Sequence, residues 1–232
     1  MITLRAGDTR GYADHGWLKS RHTFSFADYR DPRYDGFGPL RVINEDRVVP
    51  SMGFGTHGHR DMEIISYVVA GELAHKDSMG TVAVLKPGDI QCMSAGSGVM
   101  HSEFNGSATQ EVHFLQIWIV PDRRGTVPRY RDAHFSRETR SGRLCPIASA
   151  DGREQSLPIY QDAVVYASVL PDGAALDAVL GAGRRGYVQV VRGGLALNDV
   201  AAGAGDGLAI TGEERLRFVA DGEAEFLYFD LP

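Results

Sequence analysis

Cysteine is scarce. Cys92 and Cys145 are the only two in 232 residues, too few and too far apart for a disulfide scaffold, and no paired spacing suggests a zinc knuckle or a redox dithiol. Both read as small buried apolar side chains. No apolar run reaches the length needed to cross a bilayer. The opening MITLRAGDTRGYADHG has neither the basic start, the apolar stretch nor the small-residue cleavage site of a secretory signal, so the expectation is a cytoplasmic protein with no membrane partner. Basic blocks are missing as well: the net charge of -6 is spread along the chain, which gives no electrostatic footing for direct nucleic-acid binding. Long amphipathic helices alternating with strands are absent, and that excludes a parallel α/β sheet.

What is present is a series of short runs rich in β-branched and aromatic residues, punctuated by many of the 28 glycines and 10 prolines. They fall at Leu40–Ile43, Glu63–Val69, Thr81–Leu85, Val112–Val120, Val164–Val169, Tyr187–Val191 and Glu225–Phe229. The pattern predicts an all-β chain of antiparallel barrels or sandwiches, with short helices only at Ala174–Leu180 and Tyr130–Phe135. Pro121–Leu157 is richer in charge, proline and serine and reads as a long connection. The domain boundary is placed there, giving an N-terminal domain over 1–130 and a C-terminal domain over 131–232 that includes a linker at 131–157. Both halves contain a strand ending in glycine (Gly71, Gly193) and a later Gly-Asp turn (Gly88-Asp89, Gly205-Asp206), a weak hint of a duplicated unit.

Chemistry concentrates in the first half. His57 and His59 stand two residues apart, so on a strand both imidazoles share a face with Cα atoms ~7 Å apart. His101 and Glu103 repeat the spacing with a carboxylate in the second place. Two such pairs on facing strands offer three neutral nitrogens and one anionic oxygen, a set suited to Fe, Mn, Ni, Co, Cu or Zn as a divalent ion. Four protein ligands leave positions open for water, substrate or dioxygen. The bland alternative is a pair of solvent-facing strands. Gly53, Gly55 and Gly58 around the first pair, and Gly96 and Gly98 before the second, leave the backbone bent and unobstructed, as at the mouth of a pocket. The C-terminal half has no His-x-His, and Tyr187-Val188-Gln189 occupies the corresponding strand, so a metal there would lack ligands.

These residues resemble a cupin. His57-x-His59 followed by Glu63 fits the first cupin motif, and Gly98-x-x-His101-x-x-x-Asn105 the end of the second. Ser51 and Ser94-Ala95-Gly96 depart from the general pattern but not from that of the pirins. The segments Gly53–Gly80, Gly88–Asn105 and His22–Pro32 are similar to pirins, bacterial ones included, and the similarity extends over essentially the whole chain. The resemblance implies two cupin barrels in tandem, with a metal only in the N-terminal one. It also implies quercetin 2,3-dioxygenase activity, in which the 3-hydroxyl of a flavonol gives up its proton, dioxygen adds across the C2–C3 bond, and the ring opens with loss of carbon monoxide. Iron is the first expectation for the metal, the substrate a small phenolic molecule with O2, and the protein a monomer. The competing class implied by the same resemblance is a regulatory protein acting through protein contacts.

Glu63 fits the carboxylate position of cupins in general, whereas Glu103 fits that of pirins. The expected ligand set is therefore His57, His59, His101 and Glu103. Glu103 is also the expected catalytic base, and Glu63 a pocket residue that orients an imidazole or a water. His113, in an alternating strand, is expected to be hydrogen-bonded rather than a ligand, and His15, His22, His75 and His134 have no partner at ligand spacing. Phe24, Phe26 and Tyr29 are expected to pack in the core, although they could line a pocket for a flat ligand. Cys92 and Met93 either line the cavity or fill it.

Overall fold

A computed structural model describes residues Met1–Pro232. The chain divides into two compact units, and not by a single cut. One comprises 11–135 with 157–161; the other comprises 1–10, 136–156 and 162–232. The expected boundary at 130/131 therefore falls short of the observed one. It also misassigns the N-terminus, because Ile2–Arg5 pairs antiparallel with Gly207–Thr211 and belongs to the second unit.

The first unit is built from a seven-stranded and a four-stranded antiparallel sheet. The larger runs in the order Arg129–His134, Asp89–Ser94, Glu63–Ala70, Val112–Ile119, Leu40–Val48, Leu18–His22, Gly11–Asp14. The smaller runs Gly53–His59, Val99–Asn105, Leu73–Asp77, Val82–Leu85. Side chains on each strand alternate between faces. On Val99–Asn105, Val99, His101, Glu103 and Asn105 are buried while Met100 and Phe104 are exposed. The inward face of the larger sheet is unusual in carrying a polar row: His22 lies opposite Asn44, Asn44 opposite Gln116, Gln116 opposite Ser66, and Ser66 opposite Gln91. All five are buried. Such groups are costly inside a barrel unless each finds a partner.

The second unit is one antiparallel sheet system dominated by two long strands, Arg185–Leu197 and Arg215–Leu231. Their mutual register breaks near Arg192 and Gly194. Gly193 bends the chain with φ +73 where a Cβ would lie 1.9 Å from the Glu223 carbonyl oxygen. The interior is apolar: Leu170, Val188, Leu195, Leu208, Phe218 and Phe226 form one cluster, with the Phe218 and Phe226 rings stacked at 5.1 Å. The matched glycines of the two units share one conformation, with φ +79 at Gly71 and +73 at Gly193, and +97 at Gly88 and +88 at Gly205, in keeping with a repeated unit.

Neither expected helix forms. Ala175–Val179 is a strand paired with Arg215–Leu231, its side chains alternating between exposed and half-buried. Arg129–His134 is a strand on Asp89–Ser94. Both segments contain adequate helix formers, but a waiting sheet edge outweighs so weak a preference. The expected linker is also structured: it contains the short helix Arg137–Arg140, capped by the Ser136 side chain, and the strand Cys145–Ser149.

Gly53 sets how closely the edge strand Gly53–His59 approaches Val99–Asn105 in the smaller sheet. A Cβ there would lie 2.3 Å from the Glu103 carbonyl oxygen and 2.4 Å from the Phe104 Cα, both backbone atoms that cannot swing away. Gly53→Ala is therefore expected to push Gly53–His59 off Val99–Asn105, destabilising the protein by about 1–3 kcal/mol and weakening metal affinity along with it. Urea unfolding and metal titration of the same preparation check both effects.

Candidate metal centre and its cavity

His57 and His101 face each other across the Gly53–His59 and Val99–Asn105 strands, and His59 lies one step further along. The three imidazoles converge, with ring centroids 4.8, 4.5 and 4.8 Å apart for the pairs 57–59, 57–101 and 59–101. His57 Nδ1 is 2.8 Å from the Gly55 carbonyl oxygen and donates to it, which leaves Nε2 as the lone-pair nitrogen. That Nε2 is 3.1 Å from His101 Nε2. Two nitrogens bound to one ion at ~2.1 Å, at angles from square to tetrahedral, lie ~3.0–3.4 Å apart, so the pair is already spaced for a shared ion. Burial and the neighbouring imidazoles push His101 down to about 3, and burial followed by His57 pushes His59 down to about 4. Both rings are thus neutral at physiological pH, as a ligand must be. The donor set fits a divalent transition metal.

Glu103 is placed differently from a simple mirror of His59. The register slips between His101 and Glu103, so that Glu103 opposes Phe54 on one side and His75 on the other. Its carboxylate groups with His101 and His75, while His57, His59 and His101 form the other tight group; His101 belongs to both. Glu103 nonetheless lines the same cavity as His57 and His59. It is 1% exposed and accepts hydrogen bonds from three adjacent strands of the larger sheet. Ser66 Oγ and Gln91 Nε2 reach Oε1 at 3.1 Å each, and Gln116 Nε2 reaches Oε2 at 2.6 Å. Burial raises its pKa, against the pull of His75 and these three donors.

His75 is the residue the spacing argument passes over. It is buried, its Nε2 is 3.1 Å from Asp77 Oδ2, and its ring lies 4.7 Å from Tyr130 and 5.4 Å from His101. A signal for it exists: His75-x-Asp77 has the same two-residue spacing as the other pairs.

Glu63 lies elsewhere. It is three residues from Ser66, so alternation turns it to the opposite face of its strand. There it accepts a 2.7 Å hydrogen bond from Ser94 Oγ and one from the Tyr160 backbone, with Arg129 nearby. Its partners include no imidazole, and it is not among the residues that line the cavity. His113 pairs with Glu45 at 2.9 Å, a hydrogen-bonded face residue as expected. Met93 packs with Ile64, Ala95 and Val99. Cys92, on the other face of the same strand, is a buried thiol whose pKa burial drives far up. Phe24 is buried in the core, whereas Phe26 lines the cavity.

The cavity is about 330 Å³, and His57 and His59 on its wall are half-buried. Trp17, Phe26, Phe54 and Trp118 form aromatic walls, and Ser20, Asn44, Asp46 and Gln116 supply polar groups from the larger sheet. An apolar-walled cavity with a few placed polar atoms and a metal-binding group is the usual form of a small-molecule site.

Residues 4–119 match the Pirin family and residues 146–231 the quercetinase C-terminal cupin domain. A quercetin 2,3-dioxygenase from Escherichia coli K12 is 46% identical over 233 residues, covering 100% of this chain and 99% of that protein. The chain belongs to the pirin family. A pirin-like protein from Caulobacter vibrioides is 39% identical, covering 99% of each chain. Among solved structures, the nickel(II) complex of the Escherichia coli pirin YhhW superposes with a TM-score of 0.96 at 44% identity, covering 100% of this chain and 99% of that one. The tandem cupin architecture and the pirin resemblance are thereby established for this chain. No helix is long and apolar enough to cross a membrane.

Metal analysis of this pirin, once purified, should give one ion per chain, since the apolar interior of the second unit presents no ligands. Chelation should leave the circular dichroism spectrum intact, because strand pairing already holds the ligands. A separate expectation concerns Asp46, 4% exposed. Burial raises its pKa from 3.8 to about 7, with a Ser20 hydrogen bond opposing the rise and the Glu103 charge adding to it. A carboxyl raised in the folded state favours folding fully below the unfolded value, and that contribution is lost as pH climbs to the folded value. Asp46→Asn should therefore gain stability relative to the parent between about pH 4 and pH 7, by on the order of 2–4 kcal/mol at most, in urea unfolding of the metal-free proteins at each pH.

Proposed function

We propose that this protein is a metal-dependent dioxygenase that cleaves flavonols such as quercetin with O2, using one divalent transition metal, iron first among the candidates, held by His57, His59, His101 and Glu103. The observation that carries the reading is the convergence of the His57, His59 and His101 imidazoles, with His57, His59 and the buried Glu103 lining one aromatic-walled cavity. The full-length similarity to a quercetin 2,3-dioxygenase supports it. When bound, the metal supplies Lewis acidity toward the substrate oxygens and a site for oxygen chemistry.

The chain's own residues bind, orient and take up a proton. The aromatic walls accept a planar ring system on its faces and exclude water from it. Glu103 accepts the proton of the flavonol 3-hydroxyl. A carboxylate whose pKa is raised by burial is a stronger base than one in water, and the Ser66, Gln91 and Gln116 donors keep it from swinging away. His57 is held through Gly55, so its reactive nitrogen keeps one direction.

In oxygen-uptake and carbon monoxide assays on metal-loaded protein, one CO should be released per O2 consumed with quercetin. Metal-free protein should consume none. Glu103→Gln should lower kcat by roughly 10²–10⁴-fold, and Glu103→Ala should weaken metal binding as well. Glu63→Gln should keep metal and turnover near the parent's, because Glu63 faces away from the imidazoles. Loss of metal in the Glu63 variant with retention in the Glu103 variants would overturn the ligand assignment. Absence of O2 consumption across a panel of phenols would overturn the reaction.

A further inference from the structure

The cavity has a second polar region on the sheet that does not hold the histidine pairs. Asp46 and Asn44 both point inward from Leu40–Val48, both 4% exposed. Ser20 and His22 stand opposite them on Leu18–His22. His22 Nε2 is 2.8 Å from Ser20 Oγ, and the Asp46 carboxyl accepts from the Ser20 side chain. This chain of donors ends at the carboxyl. Asp46 Oδ1 and Asn44 Oδ1 have no hydrogen-bonding partner within the protein. Two buried acceptors beside each other on a ligand cavity are costly alone, and they have the polarity that a hydroxyl donor would complement. No lysine or arginine lines the cavity to pair with the carboxylate: apart from the polar groups already named, its walls are Trp17, Leu18, Phe26, Ala27, Phe54 and Trp118, with a further imidazole at His15.

We infer that Asp46, with Asn44 beside it, is a substrate-recognition site that accepts a hydrogen bond from a phenolic hydroxyl of the bound molecule remote from the hydroxyl presented to the metal centre. The inference rests on the flavonol reading above and deepens it: the site selects polyhydroxylated ring systems over those with a single hydroxyl. A site built to pair a hydroxyl rejects the analogue lacking it strongly, because the buried acceptor is then left without its donor.

Both tryptophans of the chain, Trp17 and Trp118, line the cavity, so quenching of intrinsic fluorescence reports binding without turnover. Metal-loaded protein is titrated without oxygen against quercetin and against flavonols that keep the 3-hydroxyl but lack one other hydroxyl each. For at least one position the parent protein should bind quercetin about tenfold or more tightly than the analogue. Asp46→Ala should bind quercetin as weakly as the parent binds that analogue, and should no longer distinguish the two. Asp46→Asn, which keeps the volume and one acceptor, should retain only part of the discrimination. Metal content and melting temperature of each variant are measured alongside, and Asn at this position preserves the fold where Ala does not. Indifference of the parent to every hydroxyl, or full discrimination in both variants, overturns the inference and leaves the dioxygenase reading standing. No quenching by any flavonol overturns both.

Discussion

A carboxylate at the centre of a barrel is a severe constraint, and the first unit is organised around the one at Glu103. An ionised group at 1% exposure is tolerated only when its oxygens are met by donors. Here they come from Gln91, Ser66 and Gln116, neighbours in one cross-strand row of the opposing sheet. The arrangement does two things at once. It ties Val99–Asn105 to three strands of the larger sheet through the barrel interior, and it fixes the direction in which the carboxylate faces the imidazoles. Removing any one donor leaves Glu103 with a lone pair unmet, and removing Glu103 leaves three polar side chains without their common acceptor. Glu103, Ser66, Gln91 and Gln116 are joined in one hydrogen-bond network, and such networks set geometry more firmly than apolar packing does.

Alternation along strands explains both what is legible in the sequence and what is not. His57, His59, His101 and Glu103 share the inward parity of their strands, so two-residue spacing is enough to group them. Spacing alone carries no sign for the face, however. Glu63 sits in a good cupin position, yet it is out of phase with Ser66 and so points to Ser94 and Arg129. His75 has the two-residue spacing, with Asp77, but spacing does not say what the pair faces. Its closeness to His101 and Glu103 depends on Leu73–Asp77 being the other neighbour of Val99–Asn105, a long-range pairing that no local pattern encodes. The helix expectations at Ala174–Leu180 and Tyr130–Phe135 fail through the same blindness to partners. The register slip that moves Glu103 from Gly55 to Phe54 is likewise a property of the pair of strands, not of either one.

The two units show how similar β architecture can be put to different uses. In the second, inward positions of Arg185–Leu197 and Arg215–Leu231 are Val188, Val190, Phe218, Phe226 and Tyr228, which fill the interior by packing. In the first, buried positions are given to Ser20, Asn44, Asp46, Ser66, Gln91, Gln116 and Glu103, five of which line the cavity: Ser20, Asn44, Asp46, Gln116 and Glu103. Polar interiors contribute less to folding than apolar ones of the same size. The apolar contacts that remain, such as Leu18, Val48, Val68, Leu73, Leu85, Val112 and Phe114 in one cluster, are then what stabilises the functional unit. This is a separation of labour within one chain.

Asp46 gives that trade its clearest expression. Its carboxyl is raised to about 7 chiefly by burial, so near neutral pH the protein holds it between the charged and neutral forms. Core packing alone would favour an apolar residue there, as Phe114 opposite it and Val42 and Val48 on its own strand illustrate. Ser20 and His22 add a directed hydrogen-bond chain that an accidental buried acid would not require. A carboxyl near its midpoint can accept a hydrogen bond when ionised and can donate one when protonated. The wall opposite the imidazoles is therefore adaptable in polarity, while the imidazoles and Glu103 are fixed in direction. Rigid geometry at the imidazoles and a responsive polar group on the other wall are a physically consistent division under the proposed reading, in which one hydroxyl of the ligand is presented to the metal centre and another is read by Asp46.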